Sequence, residues 1–384
     1  MNSKITESAG EFMAFPKYLY RNTLKRIPTV SNAVFSLKEL LRYKTGYYST
    51  FCEPSWCLNS DSSMGLRIAV ISDQFTWENI TGEFDAVYLN PSDWLKKMET
   101  FKPNLFFCEA AWEGINKVWD NQIYRNPIFM KDNRSVLKDI LRYCASAKIP
   151  TVFWNKEDSP AEIKTDVDFR DTALLFDHIF TTAEECIPIY RGMGHSSVHL
   201  MMFGYSPALF SQQKLPDNRN AVFFGSWYGD MPERCKDMEA VFDMVLSEGL
   251  NLVIYDRASE SDNPLLKYPT KYLPYVRPAV PYNQLGAVMA DARYVININS
   301  VKDSRTMFAR RVFEAMACGR IVISNESLGL RELFPGRIWF IGNPFCRSQE
   351  EKIVEENIQT AKEKYTFEKQ LLNALENAKL YYNS

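Results

Sequence analysis

Two doubly wound α/β lobes are the fold class this sequence predicts, and three observations predict it. Short, nearly continuous apolar runs recur between residues 66 and 341, the mark of strands covered on both faces. Helical stretches alternate with them, which implies parallel sheets with right-handed crossovers. A polar segment at 211–220 (SQQKLPDNRN) interrupts the alternation, and the same pattern restarts behind it. A chain of 384 residues is long for one domain and comfortable for two.

Residues 1–60 read as an N-terminal extension, basic and with helical periodicity in places such as 36–42 (SLKELLR). Residues 61–212 are the first lobe. Its strands are expected at 66–72 (LRIAVIS), 85–89 (DAVYL), 104–109 (NLFFCE), 150–154 (PTVFW), 177–181 (DHIFT) and 199–203 (HLMMF), with a helix at 137–147. Residues 213–349 are the second lobe, with strands at 220–226 (NAVFFGS), 251–256 (NLVIYD), 294–299 (YVININ), 321–324 (IVIS) and 339–341 (WFI). Helices are expected at 234–248, at 281–290 and in the stretch before Gly319, where a glycine suits the left-handed cap. Residues 350–384 form a charged, periodic tail expected to cross back as a helix and brace the first lobe.

Composition narrows the function. Hydrophobic residues make up 46% and charged residues 24%, an ordinary globular balance. A net charge of −2 gives no long-range field toward nucleic acid or acidic membranes. The stretch 17–44 is locally basic (Lys17, Arg21, Lys25, Arg26, Lys38, Arg42, Lys44) and either covers part of the fold or touches a membrane surface or polyanion. Eight scattered cysteines without a Cys-x-x-Cys pair, and three histidines (His178, His195, His199), do not make a metal site. No apolar leader and no run approaching eighteen apolar residues is present, so the expectation is a cytoplasmic protein with free thiols, peripheral to the inner membrane face if the basic stretch is used that way. Aromatics at 14% fill cores or line a carbohydrate cleft. No Gly-x-Gly-x-x-Gly follows the first strand, which argues against a dinucleotide oxidoreductase.

The richest segment is 304–324 (SRTMFARRVFEAMACGRIVIS). Ser304, Arg305, Thr306, Met307, Arg310 and Arg311 stand before and in the first turns of a helix, where free N–H groups receive an anion. Glu314 follows as a carboxylate for sugar hydroxyls, and anion site plus carboxylate is the chemistry of a nucleotide-sugar pocket. Glu314 also lies four residues after Arg310, where an intrahelical ion pair is the competing use. Gly225 and Ser226 end a strand where a backbone can approach a phosphate. Arg257 after the next strand either pairs with a diphosphate or is a surface turn residue. Asn299 ends a third strand facing the same cleft. In the first lobe, Trp154, Asn155, Glu157 and Asp158 follow an apolar strand: Trp154 as a stacking face, Glu157 or Asp158 as a base for an acceptor hydroxyl, with a helix cap at 158–160 as the alternative. Asp73, Glu109 and Trp112 end two further strands and complete the acceptor-side candidates.

At 311–324 (RVFEAMACGRIVIS) the chain resembles glycosyltransferases of the GT-B fold, two Rossmann-like lobes facing a cleft, and within them the CgeB-like (spore maturation protein, glycosyl transferases group 1) family. The segments 152–158 (VFWNKED), 180–182 (FTT), 222–226 (VFFGS), 254–257 (IYDR) and 297–300 (NINS) carry the same resemblance. The resemblance implies sugar transfer from a nucleotide donor, UDP favoured, to a hydroxyl acceptor, with no essential metal and no cofactor besides the nucleotide sugar. It places the donor in the second lobe, the donor ribose on Glu314 and the diphosphate on Arg257 and the 304–306 loop. Retaining members carry a second glutamate where this chain has Thr306. Arginines and helix N–H groups would then take the leaving charge, Arg257 among them. The acceptor would be a glycan, a lipid-linked glycan or a protein, in surface polysaccharide or glycan synthesis. Two other readings compete: a phage-type enzyme glycosylating hydroxymethylated DNA through the basic stretch, and a sugar-binding or scaffold protein that keeps the fold without catalysis.

Overall fold

The computed structural model describes residues 65–125, 132–158 and 168–380; the N-terminal extension, with its basic stretch at 17–44, lies outside the described residues. The first lobe runs β1 (Arg67–Ile71), α1 (Gln74–Thr81), β2 (Asp85–Tyr88), α2 (Trp94–Phe101), β3 (Leu105–Glu109), α3 (Ser135–Ala147), β4 (Thr151–Asn155), the single turn α4 (Arg170–Ala173), β5 (His178–Thr181), α5 (Ile187–Gly192) and β6 (Val198–Leu200). Its sheet order is β2-β1-β3-β4-β5-β6, parallel throughout. Every residue of β3 and β4 is buried, as runs covered on both faces require.

The second lobe runs β7 (Asn220–Gly225), α6 (Pro232–Ser247), β8 (Asn251–Asp256), β9 (Val276–Arg277), α7 (Leu285–Ala290), β10 (Tyr294–Asn297), α8 (Arg311–Ala317), β11 (Ile321–Ser324), α9 (Leu328–Leu333) and β12 (Trp339–Phe340). The order β12-β11-β10-β7-β8-β9 is again all parallel. Chain direction across the sheet reverses between β1 and β3 in the first lobe and between β7 and β10 in the second. Open α/β sheets bind ligands at the carboxyl ends of such strands.

The two lobes meet through those ends. Residues 182–185, after β5, touch residues 304–306, between β10 and α8. Two crossings join the lobes on another side, and they pair with each other: Tyr205 N–H donates to Tyr365 O at 3.1 Å and Phe367 N–H to Tyr205 O at 2.9 Å. Gly204 is required there, since a Cβ would stand 2.7 Å from the Phe367 Cα. The expected linker at 211–220 is pinned as well: buried Arg320 donates to the carbonyls of Gln213 and Lys214.

The tail differs from one crossing helix. It forms α10 (Glu350–Lys364), held on the second lobe by an Arg293–Glu350 ion pair at 2.6 Å, and α11 (Phe367–Asn377). Only α11 crosses, burying Phe367, Leu371, Ala374 and Leu375 in the first lobe's core. The helix expected to include Arg310 begins at Arg311, because Ser304 Oγ accepts the N–H groups of Thr306 and Met307 and closes a local turn that competes with helix. Among the described residues no helix is long and apolar enough to cross a membrane.

Candidate functional site

At the carboxyl ends of β7 and β8 three guanidiniums gather: Arg234 from α6, Arg257 after β8 and Arg311 at the start of α8. Arg234 donates to Ser226 O at 3.1 Å and Arg257 to Tyr228 Oη at 3.0 Å. Arg311 lies over the rings of Phe223 and Phe224 at 5.4 and 5.8 Å, and its buried Nε has no hydrogen-bond partner. Among the described residues none of the three forms an ion pair with a carboxylate. Burial pushes the Arg311 pKa down to about 9, with Arg257, Arg310 and Arg234 adding to the effect against Glu314. Burial likewise lowers Arg234, and Arg257 contributes. Uncompensated cations at the carboxyl ends of parallel strands form a receptor for a polyanion.

Gly225 contributes differently from the expectation: the space of its missing Cβ is taken by the Phe223 ring, at 2.7 Å, which carries Arg311 above it. Ser226 is buried and Asp256 beside it caps the following turn through Ala258 N–H at 2.8 Å.

The next segment is committed to contact between lobes. Glu185 of the first lobe accepts from Ser304 Oγ at 2.8 Å and from Arg305 N–H at 2.7 Å, so a carboxylate already occupies one N–H and one hydroxyl of the loop expected to hold phosphate. Thr306 Oγ1 donates to Thr182 O at 2.8 Å and accepts from Glu184 N–H at 2.9 Å. Met307 packs on the first lobe's core. Asn299 braces this loop through Ala309 N–H and the side chains of Asn297 and Ser324. Glu314 is buried and takes Tyr282 Oη–H at 2.8 Å and Arg310 Nε–H at 3.0 Å, which realises the intrahelical pair. Asn79 of α1 donates to the same Tyr282 oxygen at 3.0 Å. The 304–307 loop and Glu314 thus carry hydrogen bonds within the protein, and the competing use of Glu314 as the partner of Arg310 is present.

In the first lobe, Asp73 after β1, Glu109 at the end of β3 and Lys156 after β4 converge on the β1–β3 switch point. Lys156 Nζ lies 2.8 Å from Asp73 Oδ2 and 3.2 Å from Glu109 Oε1. Glu109 also accepts from Thr76 Oγ1 and from Asp73 N–H, and Asp73 accepts from Gly114 N–H at 3.0 Å. Burial opposes the Lys156 charge, but Glu109, Asp73 and Glu157 outweigh it and raise its pKa. Burial raises Glu109 to about 7, against the pull of Lys156. Asp73 is lowered despite burial, by Lys156 and two backbone N–H groups.

Trp154 is not a stacking face. Its ring sits in the core against Phe107, Phe203 and Phe367, and its indole N–H donates to Met201 O. Asn155 faces inward too, donating to Asp158 and Tyr190. Asp158 is enclosed by Asn155, Thr181 and Tyr190, and burial raises its pKa to about 6; Glu157 beside it is exposed. Trp112 is 36% exposed and edges Phe169 near Asp73.

Lys156, Phe75, Tyr282 and Arg234 were not singled out as site residues in the sequence. Lys156 lay inside the 152–158 run, masked by its acidic neighbours, and Arg234 stands in the first turn of the helix that follows the Gly225 turn. Nothing local marks Phe75 or Tyr282. Among the described residues, no group of three or more His, Cys, Asp or Glu stands together to hold a metal ion.

Similar solved structures include HepE of Anabaena in complex with UDP and glucose, 13% identical, covering 83% of this chain and 96% of that one, with a TM-score of 0.46. A glycosyltransferase from Rickettsia africae is 12% identical over 83% and 98%, with a TM-score of 0.47. A UDP-forming trehalose-phosphate synthase from Burkholderia xenovorans is 11% identical over 77% and 78%, with a TM-score of 0.44. No curated protein matches. Residues 245–368, which hold Arg257, Arg310, Arg311 and Glu314, match the family described as glycosyl transferase-like.

Proposed function

We propose that the protein is a glycosyltransferase of the CgeB-like kind, moving a sugar from a nucleoside-diphosphate donor, UDP favoured, to a hydroxyl of a glycan, lipid-linked glycan or protein. One observation carries the reading: Arg234, Arg257 and Arg311 gather at the carboxyl ends of β7 and β8 with no carboxylate in an ion pair with them. A diphosphate supplies the missing negative charge. As the bond to the sugar breaks, that charge grows on the leaving phosphate, and fixed guanidiniums stabilise it more than they stabilise the bound donor. The glycosyl transferase-like match over 245–368 supports the same reading. No metal is assigned a part.

Calorimetric titration with UDP, followed by a panel of nucleotide sugars, tests this. UDP is expected to bind, and at least one donor to be slowly hydrolysed to UDP and free sugar. The anomer formed, read by proton NMR, decides stereochemistry: the resemblance leans to retention, and a first-lobe carboxylate that takes the acceptor proton in a single displacement requires inversion. A panel in which no nucleotide or nucleotide sugar binds would remove the reading.

A further inference from the structure

We infer that Asp73, Lys156 and Glu109 act as one proton-accepting unit for the transfer, Asp73 meeting the acceptor hydroxyl and Lys156 linking it to Glu109 behind. The inference rests on the glycosyltransferase reading and adds the acceptor side of its chemistry.

Position is the first argument. The unit occupies the β1–β3 switch point, where a doubly wound sheet opens toward a ligand. It also stands one aromatic ring from the second lobe. Phe75 carries Lys156 Nζ 4.2 Å from its ring centroid and Arg310 Cζ 3.8 Å from the same centroid. The two cations are therefore no more than about 8 Å apart, across the join between the lobes.

Access is the second argument. Glu109 and Lys156 are sealed, whereas the Asp73 side chain keeps 20% of its surface exposed. Asp73 Oδ1 accepts the Gly114 N–H, leaving a lone pair for a hydroxyl.

Charge is the third. Two carboxylates around one ammonium leave a net negative charge in a poorly solvated place, and one added proton cancels it. The groups facing the unit do not compete for that proton. Tyr88 from β2 and Cys108 from β3 are held protonated by burial and by the two carboxylates, Arg310 stays cationic, and Glu157 lies on the solvent side. With Glu109 near 7 and Asp73 lowered, the unit is ready to take one proton at neutral pH.

The step balances. The acceptor oxygen bonds to the anomeric carbon, and the bond from that carbon to the diphosphate breaks with its electrons going to UDP. The hydroxyl proton passes to Asp73. Lys156 then gives one proton to Glu109 as it takes one from Asp73, so it remains an ammonium.

The test has two readouts. In carboxyl-region infrared difference spectra of the protein alone, protonated-carboxyl bands should disappear between about pH 6 and 8, where Asp158 and Glu83 also titrate, and Glu109→Gln should remove the component with a midpoint near 7. For hydrolysis of UDP-glucose by water, Lys156→Met and Asp73→Asn should lower kcat by about 100-fold, the scale of a lost acid–base group. Calorimetric UDP affinity should stay within about 3-fold, a shift of under 1 kcal/mol. Glu109→Gln should move the acidic limb of the pH–kcat profile while sparing UDP affinity. A band unchanged by Glu109→Gln, or unchanged kcat and pH profile in all three variants that still bind UDP, overturns the inference. Failure of the unmodified protein to bind UDP or turn over any donor instead removes the glycosyltransferase reading, and this inference with it.

Discussion

Arg311 illustrates the conflict between stability and ligand binding in a single side chain. A guanidinium whose pKa is pressed down to about 9 by burial and three like charges costs folding free energy in the empty protein. Arg311→Met should therefore raise Tm while weakening UDP binding by about 10- to 100-fold, the equivalent of one charged hydrogen bond at ~1.5–3 kcal/mol. Thermal melts with and without UDP check both halves, and a variant that loses stability would show that Arg311 has a partner inside the fold. Trp154 makes the opposite case. Its indole is fully enclosed, and Trp154→Ala should cost about 3–5 kcal/mol by denaturant unfolding with little change in UDP affinity. Residue type did not separate these two side chains in the sequence. An arginine and a tryptophan after a strand both looked like ligand groups, and the difference lies in which neighbours arrive from distant positions.

The loop 304–310 and α8 show what governs an element. The sequence places polar groups and a helix together, and both are present, but the Ser304 turn delays the helix to Arg311. The loop's donors are then used by Glu185, a residue 119 positions away from Ser304. Glu185→Ala should free these groups, and amide exchange at 305–307 should quicken about 5-fold, as one net hydrogen bond of ~1 kcal/mol predicts. Unchanged exchange would show that the lobes hold together without this contact. The strands were legible because apolar runs of the right length leave few alternatives. The α8 start was not, since a shift of a single residue depends on local hydrogen bonds in the preceding loop.

For the molecule as a whole, the two paired crossings at 204–206 and 365–367 set how the lobes face each other, and α11 locks them. Glu83, after α1, accepts the Glu368 N–H at the start of α11. Burial raises its pKa to about 8, with the Glu368 charge adding and that N–H opposing. A carboxyl raised in the folded state contributes stability that is complete below its ordinary value of 4.5 and is lost as pH rises through about 8. Tm should accordingly fall between about pH 5 and 8, with Glu109 and Asp158 contributing in the same direction, and Glu83→Gln should reduce the slope toward the upper end of that window. Leu371→Ala, in the face of α11 buried in the first lobe, should cost about 2–5 kcal/mol and loosen the lobes together.

By itself, the sequence determined two parallel α/β lobes, the strands that build them, a pinned glycine after α8 and the presence of cationic and acidic groups at strand ends. Those follow from periodicity and from backbone sterics, which act over a few residues. Only the tertiary structure decided which of those groups remain unsatisfied. It brought Lys156 to Asp73 and Glu109, left Arg234, Arg257 and Arg311 without a paired carboxylate, used Ser304 and Thr306 to join the lobes, and closed Glu314 onto Tyr282 and Arg310. Whether a buried charge is paired depends on contacts between residues far apart in the chain, and a local pattern carries no record of them.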